Sequence, residues 1–459
     1  MASLGDPSLA FALVAALIGF ASLAYLARRL DPAWAFSLGI ACSVFSGHWD
    51  ELGLPVGPDR LLLLLGALAL LVRHKDARDR LRPEPVHWLL ALIAAYAVGS
   101  AFWVGSLFEA EGVFSLLDRL GIVPFVMFFL APAAFRTARQ RAILLGTLLV
   151  LGAYLGLTAL FEAIGADALV LPKYILDPTV GIHTDRARGP FGEAVGNGLG
   201  LYACTVAAVI SLAVWRGPFA RSAAIAVVLL CGVGVVFTLT RAIWLGAVLA
   251  TATTLIAVPR LRRFLLPTAA VGAALVVGAL VLVPGLSQQA EDRQGDQRPV
   301  WDRFNTNRAA MNMVAERPLL GFGWNQFVDE SDDFFEQGED YPLTDSDVGV
   351  HNVFLSRAVE LGLVGAVLWT VALLLAVGRA IATRAPQQLE PWRIGLAAIA
   401  VQWLVAANLG PLPYTFPNLL LWTWAGIVLA PVARTAWHRR GDPNAAKRLP
   451  RSRVQPAHG

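Results

Sequence analysis

The run AAIAVVLLCGVGVVFTLTRAIWLGAVLATATTLIAV (223–258) holds a single charged residue, Arg241, in 36 positions. Crossing a bilayer takes about 20 apolar residues, so the run is too long for one crossing. It reads as two spans with almost no loop between them, and Arg241 marks the turn. The same texture extends outward in both directions. Apolar runs fall near 9–26, 33–46, 61–72, 88–104, 120–134, 142–161, 198–215, 264–283, 352–378, 394–409 and 418–433. With 223–240 and 242–258 they make thirteen candidate spans; those at 61–72 and 120–134 are short and extend into flanking residues. The first run lacks a basic leader and a small-residue cleavage site, so it reads as a retained span. Of 459 residues 56% are hydrophobic and only 15% charged, and the mean hydropathy is +0.59. A soluble domain carries roughly 25% charged residues. The composition excludes a soluble enzyme, a disordered chain and a nucleic-acid-binding domain. The expected fold is an all-α polytopic membrane protein of about 12–13 transmembrane helices, a single transmembrane domain over 1–459.

The charges give this count a direction. With the N-terminus outside, the inner segments are 27–32, 73–87, 135–141, 216–222, 259–263, 379–393 and 434–459. They hold 25 of the 37 Lys/Arg and 6 of the 33 Asp/Glu. Cytoplasmic loops carry the Lys/Arg excess, and one missed span would reverse every loop beyond it. The expected location is a bacterial cytoplasmic (inner) membrane, with the N-terminus outside and the basic tail 434–459 inside. The net charge of +4 thus reads as orientation, with attraction to lipid headgroups a lesser role. Cys42, Cys204 and Cys231 lie inside apolar runs and form no disulfide framework or metal spacing.

Two outer segments exceed simple turns: 162–197, and 284–350 as a large extracytoplasmic loop. The second has 14 acidic and 5 basic residues. Within it Trp301, Phe304, Ala309 or Ala310, Met311, and Met313 or Val314 recur at helical spacing, predicting an amphipathic helix over 301–316 that Pro318 ends.

Ionisable groups in costly places are the candidates for chemistry. Arg241 is either an arginine snorkelling from a tight turn or a cation facing a cavity that binds an anion such as diphosphate. Arg186 and Arg188 precede GPFGEAVGNGLGLY (189–202), where a Gly-rich segment enters a span. Backbone approach and span-start N–H groups favour anions there, while a plain loop, or helix packing through Gly192, Gly196 and Gly200, is the alternative. His351 closes the large loop at the start of a span. It is either an interfacial residue or a base able to take a proton near neutral pH. Arg357 and Glu360 lie three apart and read first as a structural ion pair. Asp345 and Asp347 form an Asp-x-Asp pattern, which chance alone supplies in so acidic a loop. Gly321-Phe322-Gly323 has no βαβ context and is no nucleotide fingerprint.

RPLLGFGWNQF (317–327) followed by HNVFLSRAVELGLVGAVLW (351–369) resembles the signature of the O-antigen ligase / O-antigen polymerase superfamily. TLTRAIWLG (238–246) is similar to its T-x-S-R-x-x-W-L segment, with Thr240 in place of Ser. RARGPFGEAVGNG (186–198) is similar to its R-x-x-G-x-F-x-x-P-N segment, with Ala194 and Val195 where Pro-Asn is usual. The resemblance covers about 185–370. It implies a membrane-helical glycosyltransferase fold and a lipid-linked polysaccharide ligase or polymerase. Such an enzyme takes a glycan from a polyprenyl diphosphate carrier to a hydroxyl of a glycan, lipid or protein acceptor. It further implies that Arg241 and Arg186 or Arg188 bind the diphosphate, that His351 deprotonates the acceptor, that the anomeric centre inverts, and that no metal or other cofactor takes part. The helix at 301–316 would then cover the lipid end of the donor.

A polysaccharide flippase and a non-catalytic envelope scaffold are the competing readings. No inverted repeat or matched pair of broken helices supports transport. The topology predicts that a reporter fused after Arg440 reads cytoplasmic and one inserted near Gly338 reads external; the same side for both would refute the thirteen-span scheme.

Overall fold

The computed structural model describes residues 28–73, 83–283, 298–335 and 349–441, with a few isolated positions besides; for 431–441 it describes the backbone alone. The expected first span at 9–26, the metal-like pair Asp345 and Asp347, and the tail beyond residue 441 lie outside the described residues. Within them the chain is all-α, with helices and turns and no strand. It is a polytopic membrane protein: six described helices are long and apolar enough to cross a bilayer, and the bent pair Ala110–Leu120 and Ile122–Ala134 makes a seventh.

The helices, in chain order, are α1 Pro32–Cys42, α2 Pro58–Arg73, α3 Pro85–Val104, α4 Ile122–Ala134, α5 Ala138–Ala163, α6 Ala194–Val214, α7 Pro218–Phe237, α8 Arg241–Ala257, α9 Leu265–Leu282, α10 Arg298–Glu316, α11 Val353–Leu373, α12 Glu390–Ala407 and α13 Thr415–Gly441. Each apolar run expected beyond residue 28 is one of these helices. Proline stands in the first turn of α1, α3, α7 and α12, where its fixed φ suits a helix start and its missing N–H goes unnoticed. The run 223–258 folds as read, with α7 ending at Phe237 and α8 beginning at Arg241.

Contacts between helix ends sort into two layers. On one, Gln140 Nε2 meets Asp31 Oδ1 at 3.4 Å, Arg379 meets Glu84 at 3.4 Å and Arg260 meets Glu390 at 3.9 Å. On the other, His48 Nε2 lies 3.1 Å from the Phe191 carbonyl, Arg60 pairs with Asp118, and Asn352 Nδ2 donates to Asn408 Oδ1 at 3.2 Å. The first layer joins segments that the charge count places together, and the second joins those it places opposite. Buried indoles between the layers each find an acceptor: Trp403 Nε1 donates to Asn418 Oδ1 at 2.8 Å, and Trp424 Nε1 to the Trp392 carbonyl at 2.9 Å.

One span is broken. Within α11, Gly362 has φ 67° and ψ 177°, which interrupts the helical ladder. The loop segment 318–323 supplies the missing partners. Phe322 N–H donates to the Val359 carbonyl at 2.8 Å, Gly323 N–H to Glu360 at 3.1 Å, and Leu363 N–H to Pro318 at 2.7 Å. The Tyr96 hydroxyl donates to the Leu361 carbonyl at 3.0 Å. Unpaired backbone groups are not tolerated at this depth, so loop and span form one unit. A Cβ on Gly362 would collide with the Leu319 carbonyl, and one on Gly321 with that of Val359.

Gly362→Ala therefore combines positive-φ strain of about 1–3 kcal/mol with a backbone collision, and little folded protein should survive purification. Tyr96→Phe removes one hydrogen bond and should lower stability by about 1 kcal/mol. Thermal unfolding in detergent ranks the two; equal stability of Gly362→Ala and wild type would refute the docking.

Candidate functional site

The docked segment is pinned from several directions. Trp324 is fully buried. Its N–H donates to Ser100 Oγ at 3.1 Å, its indole N–H to Ser115 Oγ at 2.7 Å, and its carbonyl accepts from Ser106 Oγ at 2.8 Å. Two guanidinium groups lie over its ring, Arg119 at 4.8 Å and Arg357 at 5.0 Å. Both pair with the buried Glu360, Arg119 Nη2 at 2.7 Å and Arg357 Nη1 at 3.7 Å. The Arg357–Glu360 pair is thus one half of a triad closed by Arg119, which also donates to Asn325 Oδ1 at 2.9 Å.

α10 packs on α11. Thr306, Ala309, Ala310 and Met313 are buried, whereas Phe304 and Met311 are exposed. The helix is amphipathic as expected, but its inner face is set by small residues, and the two larger side chains point away. Ala310 and Met313 join Phe322, Phe327, Val350 and Val359 in one apolar cluster. Arg303 lies on the helical turn before Thr306 and Thr306 Oγ1 lies 3.3 Å from His351 Nδ1. α10 thereby places a cation beside the imidazole. Burial, then the Arg303 charge, hold His351 down at about 4, against a smaller opposing hydrogen bond to Gly349. The ring is neutral at pH 7.

Arg303 is a candidate that sequence reading missed. Burial lowers its pKa first, and the nearby charges of Arg241 and Arg186 lower it further, with Asp302 opposing. Its Nε is buried and makes no hydrogen bond. The structure thus brings together four groups: Arg303, Arg241, Arg186 and His351. Arg241 is exposed at the first position of α8, where the helix N-terminus adds positive potential. Arg186 is placed by its neighbour, because Ala187 N–H donates to the Phe237 carbonyl at 3.1 Å and the Ala187 carbonyl accepts from Asn197 Nδ2 at 2.9 Å. Those bonds tie the loop to the C-terminal end of α7. Arg186 also faces Glu193, whose carboxyl is raised by burial and pulled back by a Tyr414 hydrogen bond and the Arg186 charge.

Arg188 has a different fate. Its buried guanidinium donates to three backbone carbonyls, Ile175 at 2.7 Å together with Val180 and Asp177. Its own N–H and that of Gly189 go to the Glu162 carboxylate at 3.0 and 3.1 Å. It holds the 170–182 loop closed and stands apart from the cation cluster. The glycines of the same stretch serve packing: a Cβ on Gly196 would meet Tyr414, and one on Gly200 would meet Phe191. Among the described residues no three His, Cys, Asp or Glu side chains converge as a metal site would require.

A cluster of three arginines beside a neutral imidazole can bind a dianionic group and accept a proton next to it. Residues 225–370 match the O-antigen ligase family, in agreement with the resemblance carried by the motifs. The matched stretch contains Arg241, Arg303, His351 and the docked segment, and it ends before the last turn of α11. Among curated proteins none matches the chain. The match supports an activity of the O-antigen ligase or polymerase type, acting on lipid-linked glycan in a membrane.

Arg188→Ala should destabilise the protein by about 1–3 kcal/mol, because it leaves the buried Ile175 carbonyl without its donor and removes the charge near Glu162. Arg186→Ala should lose far less. Thermal unfolding in detergent separates them, and equal losses would contradict the division of roles.

Proposed function

We propose that the protein transfers a glycan from a polyprenyl diphosphate to an acceptor hydroxyl at the outer face of the cytoplasmic membrane. The observation that supports this reading is that Arg303 lies within the reach of the Arg241 and Arg186 charges and itself stands beside His351, in a chain whose residues 225–370 match the O-antigen ligase family. The N-terminus faces outward and the basic tail inward in this reading, so the cation cluster faces the compartment where assembled lipid-linked glycan is consumed.

The donor's diphosphate sits among the three arginines. Guanidinium groups match its oxygens in bidentate fashion and need no proton of their own. The acceptor hydroxyl lies against His351. As its oxygen attacks the anomeric carbon, its proton passes to the imidazole and a new glycosidic bond forms. The bond from the anomeric carbon to the phosphate oxygen breaks on the opposite side. Its electron pair leaves with the polyprenyl diphosphate, and the arginines stabilise the growing charge. A single displacement inverts the anomeric centre. Fixed cations supply the charge that a metal would otherwise bring, so the reading is of a metal-independent reaction. Arg188 acts in it by shaping the 170–182 loop, and Arg186 by touching the donor. Phe304 and Met311, on the outer side of α10, are placed to meet the lipid end of that donor.

The base must be neutral to work. With His351 held at about 4, kcat/KM should be constant at neutral pH and fall only as pH drops through that value. Arg303→Ala removes a cation from its side, so the acid limb should move to higher pH. His351→Ala should lower turnover by about 10²–10⁴-fold. Arg241→Ala should abolish transfer, and Arg241→Lys should restore little, because a point charge does not copy a bidentate fork. The assay uses purified enzyme in lipid, a polyprenyl diphosphate glycan, and EDTA. A fully active His351→Ala enzyme would sink the base role; inhibition by EDTA reversed by Mn²⁺ or Mg²⁺ would sink metal independence.

A further inference from the structure

Thr306 is the fully buried polar residue on the inner face of α10, and its hydroxyl has one proton to give. Three acceptors are in reach. The Asp302 carbonyl lies at 2.8 Å, the Arg303 carbonyl at 3.5 Å, and His351 Nδ1 at 3.3 Å. The first distance is that of an ordinary O–H···O bond, and the last is long for a hydroxyl donor. Threonine in a helix habitually gives its proton to the carbonyl four residues back, which here is Asp302. Once that bond is made, the oxygen has only lone pairs left to offer. Towards His351 it can act only as acceptor, so Nδ1 must carry the ring proton.

From this geometry we infer that Thr306 is a positioning residue that holds His351 in its Nδ1–H tautomer and so leaves the lone pair on Nε2 to receive the acceptor's proton. The inference rests on the proposed role of His351 as base. Without the hydroxyl nothing on α10 would hold the proton on Nδ1. The tautomer bearing it on Nε2, which free imidazole prefers in water, would aim its lone pair into the buried face of α10, where no acceptor hydroxyl can reach. Arg303 and Thr306, one turn apart on one helix, thus have complementary effects: the first adds to the burial that keeps the ring neutral, and the second offers Nδ1 an acceptor beside the backbone bond that the ring makes to Gly349.

The test is nitrogen NMR on ¹⁵N-histidine-labelled full-length protein at pH 7, with the His351 signals identified by their loss in His351→Gln. The expected wild-type spectrum has a protonated Nδ1 and a bare Nε2. Thr306→Val, which keeps the shape and removes the hydroxyl, should shift the ring toward Nε2–H. It should lower kcat by about 10–100-fold, the usual loss when a histidine's orienting partner is removed, and leave KM little changed. Thr306→Ser should restore both the tautomer and kcat, which a purely structural role would not require. A wild-type ring protonated on Nε2 would overturn the inference, and so would a Thr306→Val enzyme with unchanged tautomer and kcat. If Thr306→Val fails to fold, the wild-type spectrum decides alone. An active His351→Gln enzyme would remove the base role, and the same spectrum would still decide the tautomer.

Discussion

A transmembrane helix cannot leave its backbone unpaired in hydrocarbon, where each such group costs several kcal/mol. α11 is broken at Gly362, and the carbonyls and N–H it releases are taken up by Pro318, Phe322, Gly323 and Tyr96. The large outer loop is therefore anchored at the level of the span's third turn. Everything chemical hangs from that anchor. α10 precedes the docked segment and carries Arg303 and Thr306. His351 ends the loop and opens α11. The Trp324 ring, clasped by Arg119 and Arg357 over Glu360, fixes the segment against α3. Without the break, His351 and the residues of α10 would have no common frame.

Like charges act on one another within the arginine cluster, with Asp302 opposing at Arg303 and Glu193 facing Arg186. Arg241 and Arg186 push on Arg303, and Arg303 pushes on His351. Such an arrangement is expected where binding supplies the missing charge. The neighbouring ion groups behave in the opposite sense. Glu162 answers Arg188, and Glu360 answers Arg119 and Arg357, so these are balanced before any ligand arrives and hold shape.

Much of the fold was legible because bilayer crossing imposes a length and a composition on each helix, and tight turns place lone charges at their apex. Arg241 was found that way. The Arg357–Glu360 pair was legible from its spacing, whereas Arg119, distant in sequence, was not. Arg186 and Arg188 look alike in sequence. Their roles divide only in three dimensions, where the carbonyls of Ile175, Asp177 and Val180 enclose one and the end of α7 presents the other. Arg303 and Thr306 escaped because an amphipathic pattern was scored by its large apolar residues. The signal present was a polar pair at helical spacing on the stripe that continues through Ala310 and Met313. Gly321 and Gly323 lie against a helix break that no local pattern announces.

The loop's docking into α11 also bears on how such proteins can be recombined. A domain joined by an exposed linker can be exchanged between homologues, since no partner inside the host depends on it. Here residues 318–323 complete the hydrogen bonding of a span, and that span supplies a surface on which they lie. Excising the loop would leave a hole in the membrane helix, and grafting a foreign loop would bring backbone groups cut to another kink. The smallest transferable piece is α10, the docked segment and α11 together, so a replacement loop must bring its own helix with it.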